Sequence, residues 1–340
     1  MSRSMRFAYR DVGKGREQDA EASYLSTFYS VVGRCSKSIG WVNTMQSLVR
    51  FFGVLITAAV FLSGCANFGK LSEGGVEMAQ VPITENPSGK TYPGKFIWHD
   101  LLTPDPLSAG KFYGELFGWQ IEYKGRYAVV RNGGKLIAGI LQVEPADGSA
   151  RDGVWIPSVS VADVDAAASL VKANGGMILK GPVDMGQRGR AALISDPQRA
   201  DLVLLSAKGG DPADAEAAIG DWLWDEIWTN DPDNIEEFYR SVLGYDEMAL
   251  GDEYDVFLHK GKWRAGIRIV QNVKEHMLWV PVVRVADPEA TAQRVSELGG
   301  VVWVAPDEAP SNGNTALIGD TTGALLLIQR WPPQASKEGQ

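Results

Sequence analysis

Cysteine and histidine are both scarce in this chain. Its 340 residues include two cysteines, Cys35 and Cys65, and both precede residue 66. The rest of the chain therefore cannot form an internal disulfide, and it cannot carry thiolate chemistry or a cysteine-rich zinc site. The three histidines are His99, His259 and His276. So few imidazoles leave little material for a histidine-based metal site.

Clusters of positive charge are also missing. Of the 33 basic and 42 acidic residues, 8 and 4 lie in residues 1–64, so 25 and 38 remain in the rest of the chain. A body with this acidic excess is a poor partner for nucleic acid or for an anionic membrane surface. No glycine-rich phosphate loop and no Ser/His/Asp signature is found.

The chain has no apolar run long enough to span a bilayer, and its longest apolar run lies near the N-terminus. It extends from Phe51 to Leu62 and follows Arg50. The run is shorter than the roughly 20 residues that span a bilayer, but it has the length of a signal-peptide core. The sequence Leu-Ser-Gly-Cys that ends at Cys65 resembles the lipobox of bacterial lipoproteins. We therefore predict a signal peptide at 45–64 and lipidation of Cys65. The alternative is a buried apolar helix that happens to be followed by a cysteine.

The segments that flank Cys65 complete this prediction. Residues 1–44 lack periodicity and are interpreted as an upstream mis-start or a disordered extension. Residues 65–94 are rich in Gly, Ser, Pro and Glu, which predicts a flexible, lipid-anchored tether. Ala66 follows the cysteine, and by resemblance to enteric lipoproteins this favours the cell envelope, at the periplasmic face of the outer membrane if the organism has one. Contact with the membrane is expected through the lipid anchor alone.

An internal repeat organises the rest of the chain. The sequence around Trp98–Pro106 matches that around Trp224–Pro232, Trp155–Pro157 matches Trp279–Pro281, and Ala192–Asp196 matches Ala316–Asp320. Because the matches keep a nearly constant spacing, they indicate a duplication.

Each copy repeats a plan of one strand, one helix and further strands. Strand 96–103 precedes an Asp-Pro helix start, and the helix over 106–117 ends before Gly118. A second strand over 155–161 and a helix over 164–174 repeat this order. The pattern predicts an α+β protein of two domains, 95–207 and 220–330, joined by a linker at 208–219 and followed by a tail at 331–340. Each domain is expected to pair two βαβββ units into a cupped mixed sheet with the helices outside.

This pattern resembles the vicinal oxygen chelate superfamily, which includes glyoxalase I, extradiol dioxygenases and bleomycin-resistance proteins. The resemblance implies a cup in which metal-using members bind a divalent ion through His and Glu. The corresponding positions here are apolar or indole side chains: Trp98, Ile156 and Val203 in the first copy, and Trp224, Val280 and Leu327 in the second. None of these can bind a metal, so the sequence predicts no metal site and no cofactor.

Alternation along the strands predicts which side chains line the cups. The candidate ligand-binding residues are Trp98, Asp100 and Ser158 in the first cup, and Trp224, Glu226, Trp228 and Arg284 in the second. Glu226 and Arg284 are expected to form an ion pair or a carboxylate clamp. His99 is expected to face the helix layer and to form a hydrogen bond there. The turn Gly186–Arg190 is interpreted as a solvated hairpin.

Three functions remain open from the sequence. The first is a lipid-anchored, metal-free protein that binds a small, partly apolar or aromatic ligand in its cups. The second is a glyoxalase-type lyase or isomerase. The third is an envelope scaffold whose cups are filled by its own tryptophans.

Overall fold

The computed structural model describes residues 81–144, 153–251, 253–270, 277–308 and 313–332. The predicted signal peptide at 45–64, Cys65 and the segment 1–44 lie outside these ranges. So do residues 65–80 of the predicted tether and 333–340 of the predicted tail. Among the described residues, no helix is long and apolar enough to cross a membrane.

The first domain is one mixed sheet with two helices. Its strands are β1 Phe96–Thr103, β2 Gln120–Lys124, β3 Tyr127–Asn132, β4 Lys135–Gln142, β5 Val154–Ser160, β6 Met177–Asp184, β7 Gly189–Ser195 and β8 Asp201–Ala207, and its helices are α1 Pro106–Phe117 and α2 Val164–Ala173. The strand order is β2-β3-β4-β1-β5-β8-β7-β6. Strands β1 and β5 pair antiparallel in the middle, whereas β1–β4 and β5–β8 pair parallel. Two strand–helix–three-strand units therefore meet at the centre of one sheet.

The second domain repeats this arrangement. Its strands are β9 Trp222–Thr229, β10 Asp246–Ala249, β11 Tyr254–His259, β12 Lys262–Ile269, β13 Leu278–Arg284, β14 Val301–Val304, β15 Thr315–Gly319 and β16 Leu325–Gln329, and its helices are α3 Pro232–Leu243 and α4 Pro288–Glu297. The order β10-β11-β12-β9-β13-β16-β15-β14 matches that of the first sheet. The predicted α+β class with two tandem domains of paired units is confirmed.

Local sequence accounts for the helix boundaries. Asp105 caps α1 by accepting a hydrogen bond from the Ser108 amide, and proline occupies the first turn. The helix ends at Gly118, which has φ 74°, a backbone conformation that glycine adopts at no steric cost. Asp163 caps α2 by accepting hydrogen bonds from two backbone amides. Helix α1 therefore has the predicted bounds, and α2 begins where predicted and ends one residue earlier.

The two domains share their apolar cores. One cluster combines α2 and the adjoining strands of the first domain with α3 of the second, and another combines α1 with α4. Each sheet thus packs its helix-bearing face against the other domain. The opposite face of each sheet forms the cup, which contains Asp100 in the first domain and Glu226 in the second.

Residues 81–94 pack against the first domain. Val81 and Ile83 are buried in the apolar cluster that fills its cup, and Glu85 forms an ion pair with Arg131 at 2.7 Å. Further along, the Tyr92 amide donates to the fully buried Asp211. For these residues the prediction of a flexible tether is wrong, because it considered composition alone and not the apolar surface that the cup offers to two aliphatic side chains.

Candidate functional site

The first cup contains a closed polar network around Asp100. Its carboxylate accepts hydrogen bonds from Trp98 Nε1 at 3.0 Å and from the Tyr127 hydroxyl at 2.8 Å. Arg188 Nη1 bonds to the other carboxylate oxygen at 2.5 Å, and its guanidinium also donates to the Tyr127 hydroxyl. All four side chains are buried. This arrangement fixes the orientation of Asp100 and compensates its charge within the protein.

Electrostatics keeps Tyr127 neutral and Arg188 charged in this network. Burial is the main cause that raises the pKa of the Tyr127 phenol. Burial alone would lower the pKa of Arg188, but the Asp100 carboxylate and Tyr127 outweigh it, and the pKa is raised. Hydrogen bonds from Trp98, Tyr127 and Arg188 already engage both oxygens of the Asp100 carboxylate, so Asp100 is poorly placed for general-base catalysis.

A glycine makes room for the network. Gly139 on β4 pairs with Asp100 on β1, and a Cβ atom there would lie 1.7 Å from the Tyr127 hydroxyl. Gly266 on β12 pairs in the same way with Glu226, and its Cβ would lie 2.0 Å from the Tyr254 hydroxyl. Both cups are therefore built to bring a tyrosine hydroxyl to a carboxylate.

The second cup has a related network with a different arginine. The Tyr254 hydroxyl donates to Glu226 at 2.8 Å, and Trp228 Nε1 lies 3.4 Å from the same carboxylate. Arg268 on β12 binds Glu226 through two nitrogens at 2.8 and 3.2 Å. Whereas the Arg188 side chain is 4% exposed, that of Arg268 is 21% exposed. Solvent therefore reaches the second network at Arg268, whereas Glu226 is buried.

Three half-buried indole rings lie at the second cup. Trp224 stacks on Trp263 with ring centroids 6.2 Å apart, and it contacts Trp331 at 5.5 Å. Trp331 was predicted to begin a tail, but its ring packs against Trp224. The Trp224 Nε1 atom is buried and has no hydrogen-bond partner among the described residues. In the first domain, Leu136 occupies the strand position of Trp263, next to the same irregularity in pairing. The Trp224–Trp263 stack is thus particular to the second of the two cups that the structure describes.

Two predicted site residues have other environments. Arg284 was expected to pair with Glu226, but it bonds to Glu216 and to the Ala217 carbonyl in the predicted linker. The error arose because a shared sheet face does not show which side chains can reach each other. Ser158 lies opposite Trp98 in the first sheet, and its hydroxyl is buried without a hydrogen-bond partner in the described part of the chain.

His99 faces away from the cup, as alternation predicts. Its Nε2 atom lies 2.8 Å from Asp225, which occupies the matching position of the second repeat. The imidazole stacks on Trp222 at a centroid distance of 4.1 Å. Both partners are buried between the domains, so the pair joins the two sheets and has no access to either cup.

The residues present do not fit a divalent metal. The side chains at the ligand positions implied by the resemblance are indole or aliphatic groups, which supply no metal-binding lone pair. Across the described ranges, no group of three or more His, Cys, Asp or Glu residues could hold an ion. Asp100 and Glu226 already bind arginines, which occupy the oxygen atoms that a metal would need.

Sequence reasoning missed four residues of these networks: Tyr127, Arg188, Tyr254 and Arg268. The two tyrosines could have been found, because each occupies the first position of an equivalent strand, β3 or β11. Arg188 was assigned to a solvated turn, yet it is 3% exposed. No local signal identifies it, since its partners Asp100 and Tyr127 are distant in sequence.

Comparison with known proteins agrees with the fold. The family model of the Glyoxalase/Bleomycin resistance protein/Dioxygenase superfamily matches residues 95–204. A Mycobacterium tuberculosis protein named "Putative glyoxylase CFP32" is 31% identical over 250 residues, which covers 70% of this chain and 95% of that protein. The Streptomyces sp. anthracycline biosynthesis protein DauV is 28% identical over 261 residues, 69% of this chain and 93% of that protein. The chain belongs to the Glyoxalase/Bleomycin resistance protein/Dioxygenase superfamily.

Solved structures show the same fold at low sequence identity. The Mn(II)-bound glyoxalase from Novosphingobium aromaticivorans superposes with a TM-score of 0.53 and 14% identity, over 71% of this chain and 83% of that one. An extradiol ring-cleaving dioxygenase from B. fuscum gives a TM-score of 0.51 and 11% identity, over 75% and 78%. At these identities the likeness concerns the fold alone, because one fold supports different chemistries.

Proposed function

We propose that this protein binds a small, partly aromatic ligand in its second cup without using a metal. The observation that carries the proposal is the half-buried indole surface of Trp224, Trp263 and Trp331 beside the partly accessible Glu226–Arg268 pair. An aromatic concavity with a few polar groups is the usual composition of a small-molecule site. Stacking on indole rings favours planar ligands, and the free Trp224 N–H favours one with a hydrogen-bond acceptor.

Two similar proteins support an aromatic ligand class. DauV and the Streptomyces peucetius protein DnrV are both named anthracycline biosynthesis proteins. Anthracyclines contain fused, oxygen-bearing aromatic rings, which would suit an indole-lined cup. The glyoxalase-type reaction is the less favoured alternative, because both cup carboxylates are engaged by arginine and the family's metal ligands are replaced.

Direct binding tests the proposal. Residues 66–340 are titrated with anthraquinone-2-sulfonate, a planar probe with oxygen acceptors, by isothermal titration calorimetry. We expect one bound molecule per chain. Trp263→Leu, which installs the residue found at this position in the first domain, should weaken binding about tenfold through loss of stacking. Tyr123→Leu, on an exposed outer strand, is the matched control and should bind as the parent does.

Absence of binding by the parent protein, or equal binding by Trp263→Leu, would overturn the proposed site. A separate experiment tests the proposal that the protein binds no metal. Elemental analysis, with tryptophan fluorescence followed during addition of Ni²⁺, Zn²⁺ and Mn²⁺, should show no stoichiometric metal. A stoichiometric ion would make glyoxalase-type catalysis the leading function.

The proposal includes attachment to the cell envelope through lipidated Cys65. Its support is the order of Arg50, the apolar run from Phe51 and the Leu-Ser-Gly-Cys sequence. The full-length protein should incorporate labelled palmitate and fractionate with membranes, and Cys65→Ser should abolish both. Unchanged fractionation of this variant would refute the anchor.

A further inference from the structure

The first cup is occupied by a segment of the chain itself. Val81 and Ile83 are 7% and 3% exposed, and they belong to the same apolar cluster as Trp98, Tyr127 and Leu136. Glu85 continues the segment across the cup's edge to Arg131 on β3. We call residues 81–87 the plug.

The plug and the chain that follows it are held in different ways. Residues 88–92 are fastened by buried Asp211: the Ser88 amide donates to its carbonyl at 3.0 Å, and the Tyr92 amide donates to its carboxylate at 2.5 Å. Ser160 of β5 donates to the same carboxylate at 2.6 Å. The plug itself is held by two aliphatic side chains and by the Glu85–Arg131 pair, whose Glu85 side chain is 53% exposed. The hydrogen bonds that fasten residues 88–92 to Asp211 therefore do not involve the plug.

The cup beneath the plug contains unsatisfied polar groups. Ser158 Oγ and Arg188 Nε are buried and have no hydrogen-bond partner in the described part of the chain. Ser158 is 1% exposed and Arg188 is 3% exposed. Buried polar atoms of native proteins are nearly always hydrogen-bonded, and Val81 and Ile83 offer no polar side-chain atom to satisfy these two. An oxygen-bearing ligand in place of the plug would accept a hydrogen bond from Ser158 or Arg188.

We propose that the plug is a displaceable intramolecular occupant, and that the first cup without it is a second binding site for an apolar ligand with an anionic or carbonyl oxygen. The plug fits the apolar wall of the cup but leaves Ser158 Oγ and Arg188 Nε without a hydrogen-bond partner among the described residues. A ligand that meets both surfaces competes with it. In the intact chain the first cup is then closed and the second cup is the open one.

The test counts binding sites in a protein whose second cup is impaired. In the Trp263→Leu background, Val81→Ser/Ile83→Ser is compared with the unaltered plug by calorimetric titration with anthraquinone-2-sulfonate. We expect the plug variant to bind one additional molecule per chain. Adding Ser158→Ala should weaken that new site about tenfold, since one hydrogen bond to the probe is lost. Because the new site lies in the other domain, this result is independent of whether the second cup binds the probe.

Competition with a separate peptide distinguishes a displaceable plug from a segment that is a fixed part of the core. A synthetic peptide of residues 79–88 should compete with the probe for the plug variant, whereas the same peptide with serine at positions 81 and 83 should not. An unchanged number of sites in a folded plug variant, or loss of its cooperative unfolding, would overturn the proposal. So would equal competition by the two peptides.

Discussion

At the scale of single residues, the two cups share a carboxylate–tyrosine–arginine arrangement but recruit the arginine from different places. Arg188 comes from the turn before β7, and Arg268 comes from within β12. The duplication therefore preserved the acidic residue and the tyrosine, while the positive charge was supplied separately in each domain. This indicates that charge compensation of the carboxylate matters more than one fixed geometry.

Removal of the Arg188 side chain should strongly lower the free energy of unfolding. Arg188→Met leaves the Asp100 carboxylate buried beside two neutral donors, and an uncompensated buried charge typically costs about 3–5 kcal/mol in the free energy of unfolding. Urea unfolding followed by tryptophan fluorescence measures the loss. Arg268→Met is the matched control and should cost less, since the Arg268 side chain is partly exposed and water can take its place beside Glu226. Equal losses for the two variants would contradict this account of the cups.

At the scale of secondary-structure elements, short sequence signals placed the helices. The four described helices begin next to Asp105, Asp163, Asp231 and Asp287, but these residues do not all form the same contacts. Asp163 accepts hydrogen bonds from the amides of Asp165 and Ala166 at 2.9 and 3.0 Å. Asp231 makes no side-chain capping bond. The same residue type at the same position therefore contributes differently to each helix.

This difference predicts that replacing these aspartates with alanine changes the free energy of unfolding by unequal amounts. Asp163→Ala removes an acceptor for two otherwise unpaired backbone amides and should lower the free energy of unfolding by about 1 kcal/mol. Asp231→Ala should change it by less than about 0.5 kcal/mol, because no cap is lost. Both values come from urea unfolding at neutral pH. A loss at Asp231 as large as that at Asp163 would show that charge near the helix end, and not the capping bond, is the stabilising feature.

Composition misled the interpretation of the segments between elements. Residues 81–94 and 208–219 are polar and rich in small residues, which is typical of tethers and linkers. Yet Asp211 is fully buried and binds the backbone of the N-terminal segment, and Val81 and Ile83 lie in the first cup. Two apolar side chains in a polar segment are enough to order it when a matching surface is available.

At the scale of the whole molecule, equivalent contacts join the domains across a pseudo-twofold arrangement. Tyr239 of α3 donates to Asp196 of the first domain at 3.0 Å, and Tyr113 of α1 interacts with Asp320 of the second. His99 and Asp225, which occupy matching repeat positions, face each other between the sheets. A duplicated chain can place different residues at two equivalent positions, so a hydrogen bond between unlike side chains becomes possible there.

The interdomain acid Asp196 should make stability depend on pH. Burial raises the pKa of its carboxyl to about 6, although backbone amides and Tyr239 oppose the shift. The folded state holds this proton more tightly than the unfolded state does. The stabilising contribution of Asp196 to the free energy of unfolding is therefore largest below about pH 4 and is lost as the pH rises to about 6. The expected loss is about 2–3 kcal/mol.

The measurement compares the free energy of unfolding of the parent and of Asp196→Asn between pH 4 and pH 7. The parent should lose stability over this range relative to the variant. Asp320→Asn, the equivalent change in the second domain, should show a difference of the same sign, because burial raises the pKa of Asp320 as well. Parallel curves for the parent and Asp196→Asn would contradict the buried-acid explanation.

The sequence by itself determined the repeat, the α+β class, the boundaries of the helices and the side chains on each face of strands such as β1. These follow from residue types at short spacing, because capping, helix termination and strand alternation are local effects. The sequence, through its resemblance to the family, also showed tryptophan at two metal-ligand positions, Trp98 and Trp224. Only the tertiary structure decided that Arg188 and Arg268 hold the cup carboxylates, that Asp225 meets His99, and that residues 81–83 enter the first cup. These contacts join segments distant in sequence, and which side chains meet depends on the packing of the complete fold.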